Sequence, residues 1–211
     1  MESSFDISTK AEGLVLSKCA NLVTNSDLSP RVLTAFAEKF QLSQSDIALL
    51  AHPDPQHPYG RRPLFSNDLL EVMVATWTPG VSCAPHDHGG SFGVVRVLRG
   101  RSCHRVWKVE DGELSIHKQE HVGVGGVMVC GSDMVHSMGD DGDDESLITL
   151  HLYTRSIFHM VVYDQMNTST LVVDGQVGAW IPDEPSMIWA RREGFVGADS
   201  FWDGQPGGVL R

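Results

Sequence analysis

The chain has no run of apolar residues approaching the roughly 20 that a membrane-spanning helix requires. Its first ten residues carry Glu2, Asp6 and Lys10 and no apolar core, so they do not read as a secretory signal. Basic residues are scarce: 16 Lys and Arg stand against 27 Asp and Glu, a formal net charge of −11. That balance argues against nucleic acid or an anionic membrane surface as the main partner, because both need cationic patches. Cysteine is sparse too. Cys19, Cys83, Cys103 and Cys130 lie far apart with no CxxC spacing, and read as reduced thiols rather than a disulfide framework. A cytoplasmic location is the expectation.

What is present is a chain of 211 residues, 41 % apolar and 20 % charged, a length and balance that fit one globular domain and exclude disorder. The first fifty residues read as helical. Leu14, Val15, Leu22 and Val23 recur at roughly helical spacing, and Val32, Leu33, Phe36 and Phe40 form a stripe behind an N-cap at Ser29 followed by Pro30. Ser43 and Asp46 mark a capping-box variant opening a short helix to Leu50. His52 to Pro63 holds four prolines and reads as a connecting loop. From Leu69 onward short strands separated by glycine turns predict an all-β sandwich or barrel. The expected strands are 69–79, 92–98, 101–109, 113–121, 122–130, 147–154, 160–163 and 170–173. The expected division is a helical segment and loop at 1–58, a β-barrel at 59–175, and an irregular tail at 176–211 carrying Trp180, Trp189 and Trp202.

Histidine is over-supplied, with ten copies. His86-Asp87-His88 is the most informative group: on a strand, residues i and i+2 share a face about 7 Å apart along the chain, so two imidazoles can converge on one metal ion. His136, 48 residues beyond His88, is the candidate third ligand. Neutral imidazoles suit Zn, Fe, Cu and Ni. Asp87 points to the opposite face. His104, His117 and His121 fall on expected hairpin strands and read as surface residues, while Asp140, Asp141, Asp143 and Asp144 read as a solvated acidic turn.

The spacing of Gly80, His86, His88, position 93 and Gly100 resembles the first motif of the cupin superfamily, with Gly93 in place of glutamate. Gly125 and His136 are similar to the second, where Gly131, Asp133 and Asp140 replace its proline, glycine and asparagine. Loss of the carboxylate ligand leaves three histidines, which resembles the cysteine dioxygenase, or thiol dioxygenase, family. Tyr59-Gly60-Arg61 resembles that family's Tyr-x-Arg segment, and Thr149-Leu150-His151-Leu152-Tyr153 its Ser-x-His-x-Tyr segment. The resemblance implies a cupin jelly-roll β-barrel with N-terminal helices packed on it. It further implies Fe(II) on His86, His88 and His136, Arg61 (with Arg62 adjacent as the alternative) and Tyr59 at the substrate carboxylate, and a relay through Thr149, His151 and Tyr153. The implied reaction adds both atoms of O2 to the sulfur of L-cysteine, giving the sulfinic acid, a step of cysteine catabolism.

Two departures are visible. Mammalian members have a cysteine where Gly93 stands, cross-linked to the tyrosine that Tyr153 matches, so this chain resembles bacterial-type members. Thr154-Arg155-Ser156 also lacks the Ser-Pro-Pro that follows that tyrosine. Members acting on 3-mercaptopropionate tend to have glutamine at the position of Arg61, so Arg61 favours cysteine, while the missing Ser-Pro-Pro favours the other thiol. A zinc hydrolase, which also uses three histidines and a water, and a non-catalytic metal-binding cupin are the alternatives. Nothing in the sequence fixes an oligomeric state.

Overall fold

A computed structural model describes residues 4–23, 28–142 and 145–201. Glu2, Asp143, Asp144 and Trp202, each used in the sequence reading, lie outside the described residues. Three helices come first: α1 (Ser4–Val23), α2 (Pro30–Lys39) and α3 (Gln44–Leu50). The signals read from the sequence set two of their starts. Pro30 opens α2 directly after Ser29, and the Ser43 side chain accepts from the Asp46 backbone N–H at 3.1 Å to cap α3.

Eleven antiparallel strands follow among the described residues: β1 (Tyr59–Ser66), β2 (Glu71–Trp77), β3 (Gly93–Arg99), β4 (Ser102–Glu110), β5 (Glu113–Val122), β6 (Val127–Cys130), β7 (Val135–Asp140), β8 (Ile148–Tyr153), β9 (His159–Asp164), β10 (Ser169–Asp174) and β11 (Ile188–Glu193). One sheet has the order β1-β2-β8-β3-β6. Facing it are two three-stranded groups, β5-β4-β7 and β11-β10-β9. The extended segment 83–87 joins these into one layer. It bonds β7 on one side, through Cys83 N–H to Met138 O and reciprocal bonds between His86 and His136. On the other side it meets β9, through Asp87 N–H to Val161 O and Tyr163 N–H to Pro85 O. The fold is therefore mainly β, a jelly roll with N-terminal helices packed on it, as expected. Its two sheets are hydrogen-bonded separately, so it forms two layers rather than a closed ring.

Strand alternation gives the first sheet two different jobs. Val72, Val74, Val94, Leu98, Ile148, Leu150 and Leu152 point outward and share a core with Val15, Leu33, Ala37, Ile47 and Leu50 of the helices. Met73, Ala75, Val95 and Val97 point inward and meet Met138, Met160, Val162, Leu171 and Val173 of the second sheet. Arg96 on the outer face donates to the Ala37 and Glu38 carbonyls at 2.8 and 2.9 Å, satisfying acceptors at the C-terminal end of α2.

Several expectations need correction. The loop expected through Pro63 ends earlier, because β1 starts at Tyr59 and contains Pro63. An edge strand tolerates a residue with no N–H to give, and the register shifts just after it. The strand expected over 122–130 shortens to β6, since Gly123–Gly126 forms a turn in which Gly125 takes φ +84°. β7 and β11 carry too many polar residues to stand out as strands. β11 also gives the supposedly irregular tail a regular element, paired with β10. Finally, His86 lies on the bridging segment at an isolated pair with His136, and His88 follows it in a loop; neither sits in a regular strand.

Candidate metal centre and its surroundings

The reciprocal backbone bonds between His86 and His136 bring the first and third candidate ligands together, and His88 reaches the same point two residues on. One ring nitrogen from each of His86, His88 and His136 lies within 4.8 Å of the others. The Nε2 atoms of His88 and His136 are 3.0 Å apart. All three residues are buried, His88 and His136 to 1 % exposure. His86 Nδ1 faces the Ala84 carbonyl at 3.0 Å, which leaves Nε2 as its ligand atom.

Burial decides the charge state. Desolvation holds His86 at about 4 and puts His88 and His136 well below the ordinary imidazole value. Three neutral, converging nitrogen donors with no carboxylate among them suit a divalent transition metal rather than calcium or magnesium. The Nδ1 of His88 is buried without a hydrogen-bond partner, so this cluster is not a self-satisfied polar network.

β8 supplies the adjacent wall. Thr149, His151 and Tyr153 alternate inward, as their period-two spacing predicts, and all three are buried. Thr149 Oγ1 is 2.8 Å from His151 Nε2, and His151 Nδ1 is 2.9 Å from the Tyr153 hydroxyl. Trp77, which the sequence reading did not single out, anchors this chain by donating its indole N–H to Thr149 Oγ1 at 2.9 Å. The Tyr153 ring lies edge-on to the His88 ring, with centroids 4.9 Å apart. Desolvation raises the Tyr153 phenol well above its usual value, so it stays protonated. Desolvation also lowers His151 to about 3, with the positive charge of Arg61 adding to the effect.

Gly93 pairs with Tyr153 across β3 and β8. A Cβ at position 93 would sit 2.8 Å from the tyrosine ring and 3.3 Å from the His88 ring. Glycine there lets the phenol lie against the strand beside the histidine cluster.

The pairing register separates the two candidate arginines. Arg61 pairs with Ala75, whose partner is Thr149, and so shares the inward face; Arg62 points to the helices. Arg62 donates to Glu12 and, at 2.9 Å, to the Leu49 carbonyl, which ties α1 and α3 to the sheet. Arg61 Nη1 donates to the Gly175 and Gln176 carbonyls at 2.8 Å each, and Nη2 stands 3.6 Å from Glu71. Its buried Nε has no partner. Glu71, absent from the sequence reading, is buried and accepts from the Ile157 N–H at 3.2 Å. Tyr59 packs against Trp77 and Trp180, and its hydroxyl accepts from Ala179 N–H at 2.9 Å.

His104 departs most from expectation. It is 2 % exposed, not a surface residue, and its Nε2 lies 3.0 Å from Nδ1 of His136. His104 sits beside Ser102 and Cys103 in the part of β4 that is buried throughout. Asp87 points away from the cluster, as expected, and accepts from Gly89 and Val161 N–H. Asp140 caps its own turn by accepting from Gly142 and Leu147 N–H. A groove of about 1220 Å³, walled by Trp107, Val135 and Tyr163, is separate from this interior: no member of the triad lines it.

The buried histidines make acid stability a test of this geometry. Below about pH 6.5 the unfolded chain protonates these imidazoles, whereas folded His86 and His151 resist until about 4 and 3. The unfolded state then binds more protons, so stability falls as pH falls through that window. Asp87, raised to about 6 by burial, opposes the trend. The melting temperature of metal-free protein is expected to drop steadily from pH 6.5 to 4. A flat profile would contradict the buried, neutral cluster.

The family model described as cysteine dioxygenase type I matches residues 1–166. A Thermus thermophilus protein is similar in structure, at 16 % identity over 55 % of this chain and 98 % of that one, with a TM-score of 0.43. A Klebsiella pneumoniae protein described as having a double-stranded β-helix domain is 15 % identical over 58 % of this chain and 97 % of that one, with a TM-score of 0.44. The cupin domain of Schizosaccharomyces pombe Cnp3 is 13 % identical over 48 % of this chain and 68 % of that one, with a TM-score of 0.41. Membership rests on the family match, which spans the helices, both arms of the histidine cluster and the Thr149-His151-Tyr153 strand: the chain belongs to the cysteine dioxygenase type I family.

Proposed function

We propose that this chain is an Fe(II)-dependent dioxygenase of the bacterial type that converts L-cysteine to cysteine sulfinic acid. The observation that carries the reading is the convergence of three buried, neutral imidazoles without a carboxylate, beside the Tyr153 phenol and on the same interior side as Arg61. The stoichiometry closes without a further reductant. One thiol and one O2 give one sulfinic acid: the O–O bond breaks, two S–O bonds form, sulfur loses four electrons and oxygen gains them.

His86, His88 and His136 would hold the iron, which when bound activates O2 next to the substrate sulfur. Arg61 would bind the substrate carboxylate. Its Nη1 is fully used by two carbonyls, so the edge formed by Nε and Nη2 is the one a carboxylate can meet, and Nε is the donor left over. Glu71 beside Nη2 steadies the guanidinium and tempers its charge. Tyr59 forms part of the same wall. In the Trp77–Thr149–His151–Tyr153 chain the indole can only donate. With the Thr149 hydroxyl donating to His151 Nε2, His151 Nδ1–H donates to the phenol oxygen. That leaves the Tyr153 O–H to donate toward substrate or oxygen.

Three experiments test these roles. Oxygen uptake by the iron-loaded protein is expected with L-cysteine in preference to 3-mercaptopropionate. Arg61→Gln is expected to raise KM for cysteine about 10- to 100-fold, the scale of a lost charge-assisted hydrogen bond, with iron content unchanged. A wild-type preference for 3-mercaptopropionate would overturn the substrate assignment. Tyr153→Phe is expected to lower kcat by about 100-fold while iron content holds. Loss of iron in that variant would instead make the tyrosine part of the metal site's support.

A further inference from the structure

Beyond the three ligands, the interior holds a second chain of polar contacts, which leaves the cluster through His136. It crosses the second sheet with one residue per strand. His136 on β7 has its Nδ1 3.0 Å from His104 Nε2 on β4, and His104 Nδ1 is 3.1 Å from Glu120 Oε1 on β5. His104 and Glu120 are direct cross-strand partners. At the far end Glu120 Oε2 accepts from Lys118 Nζ at 2.6 Å, both residues being at the solvent edge.

The order of donors along this chain has one solution for neutral rings. An ionised carboxylate only accepts, so His104 carries its proton on Nδ1 and donates it to Glu120. A neutral imidazole has one N–H, so His104 Nε2 is then an acceptor. The proton of His136 must therefore lie on Nδ1, which leaves the Nε2 lone pair pointing into the cluster with His86 and His88. An acid at the protein surface thus selects the tautomer of a buried ligand two strands away. Cys130 Sγ, 3.7 Å from His136 Nδ1, is the only other side chain recorded against that nitrogen among the described residues.

We propose that Glu120 and His104 are positioning residues for the metal centre, fixing His136 as an Nε2 donor and raising its donor strength through a carboxylate–imidazole–imidazole chain. The proposal rests on the three-histidine metal reading. It adds two residues that touch neither metal nor substrate, and it gives a role to a histidine otherwise costly to bury. Partners of this kind orient the ligand ring and strengthen it as a base, and their loss typically weakens metal binding by about 10- to 100-fold.

The test is a titration of metal-free protein with Co(II), followed by visible absorption. Wild-type protein is expected to bind one equivalent. Glu120→Gln removes the charge at a partly exposed position, so the fold survives, and is expected to weaken binding by about 10-fold and shift the absorption bands. His104→Leu, which removes the acceptor for His136 Nδ1–H, is expected to weaken it by up to about 100-fold, and His104→Gln, whose amide oxygen can accept again, to restore part of the loss. Melting of metal-free Glu120→Gln is expected to match wild type, because a purely structural role would lower stability and affinity together. Wild-type affinity and spectrum in both Glu120→Gln and His104→Leu would overturn the proposal and leave the metal site standing. So would a second bound equivalent abolished by Cys130→Ser, since it would make His104 a ligand. Absence of Co(II) binding by wild type would overturn the three-histidine reading itself, and the proposal with it.

Discussion

The rest of the structure depends on the burial of three neutral imidazoles at one point. Removing polar nitrogen atoms from water is costly unless they are paired, and His88 Nδ1 has no partner at all. The fold supports this by locking the three histidines through backbone. His86 and His136 exchange both of their main-chain hydrogen bonds, so the segment that carries the first two candidate ligands also welds the two halves of the second sheet. Site and sheet are assembled by the same bonds.

The opposite sheet answers a different demand. Along β8 the residues alternate between Ile148, Leu150 and Leu152, which pack against the helices, and Thr149, His151 and Tyr153, which line the interior. Each inward residue is satisfied by the next, and Trp77 closes the series. The neighbouring arginines repeat the division on β1: Arg62 staples helices to the sheet, and Arg61 turns inward. A one-residue slip in either strand would exchange these roles, which makes register a functional as well as a structural constraint.

Much of this was legible in the sequence. Proline and serine signals marked two helix starts, and period-two spacing put Thr149, His151 and Tyr153 on one face. The His86-Asp87-His88 triplet with His136 marked the cluster even though no regular strand carries the first pair. What escaped has a common cause. Trp77, Glu71, His104 and Glu120 act through partners 72, 86, 32 and 16 residues away, so no local pattern reveals them. His104 was misread because one face of a hairpin strand is usually solvated, whereas β4 is flanked by both β5 and β7 and its first three residues are buried. The choice between Arg61 and Arg62 needed the pairing register with β2, because two adjacent residues of a strand always face opposite ways.

The most direct test of the account is turnover of L-cysteine under 18O2 by the Fe(II)-loaded chain, with the product analysed by mass spectrometry. The expected product is cysteine sulfinate carrying two labelled oxygen atoms, formed only when iron is present and lost when His86, His88 or His136 is replaced by alanine. Cystine as the sole product, or sulfinate carrying one labelled and one solvent-derived oxygen, would contradict it.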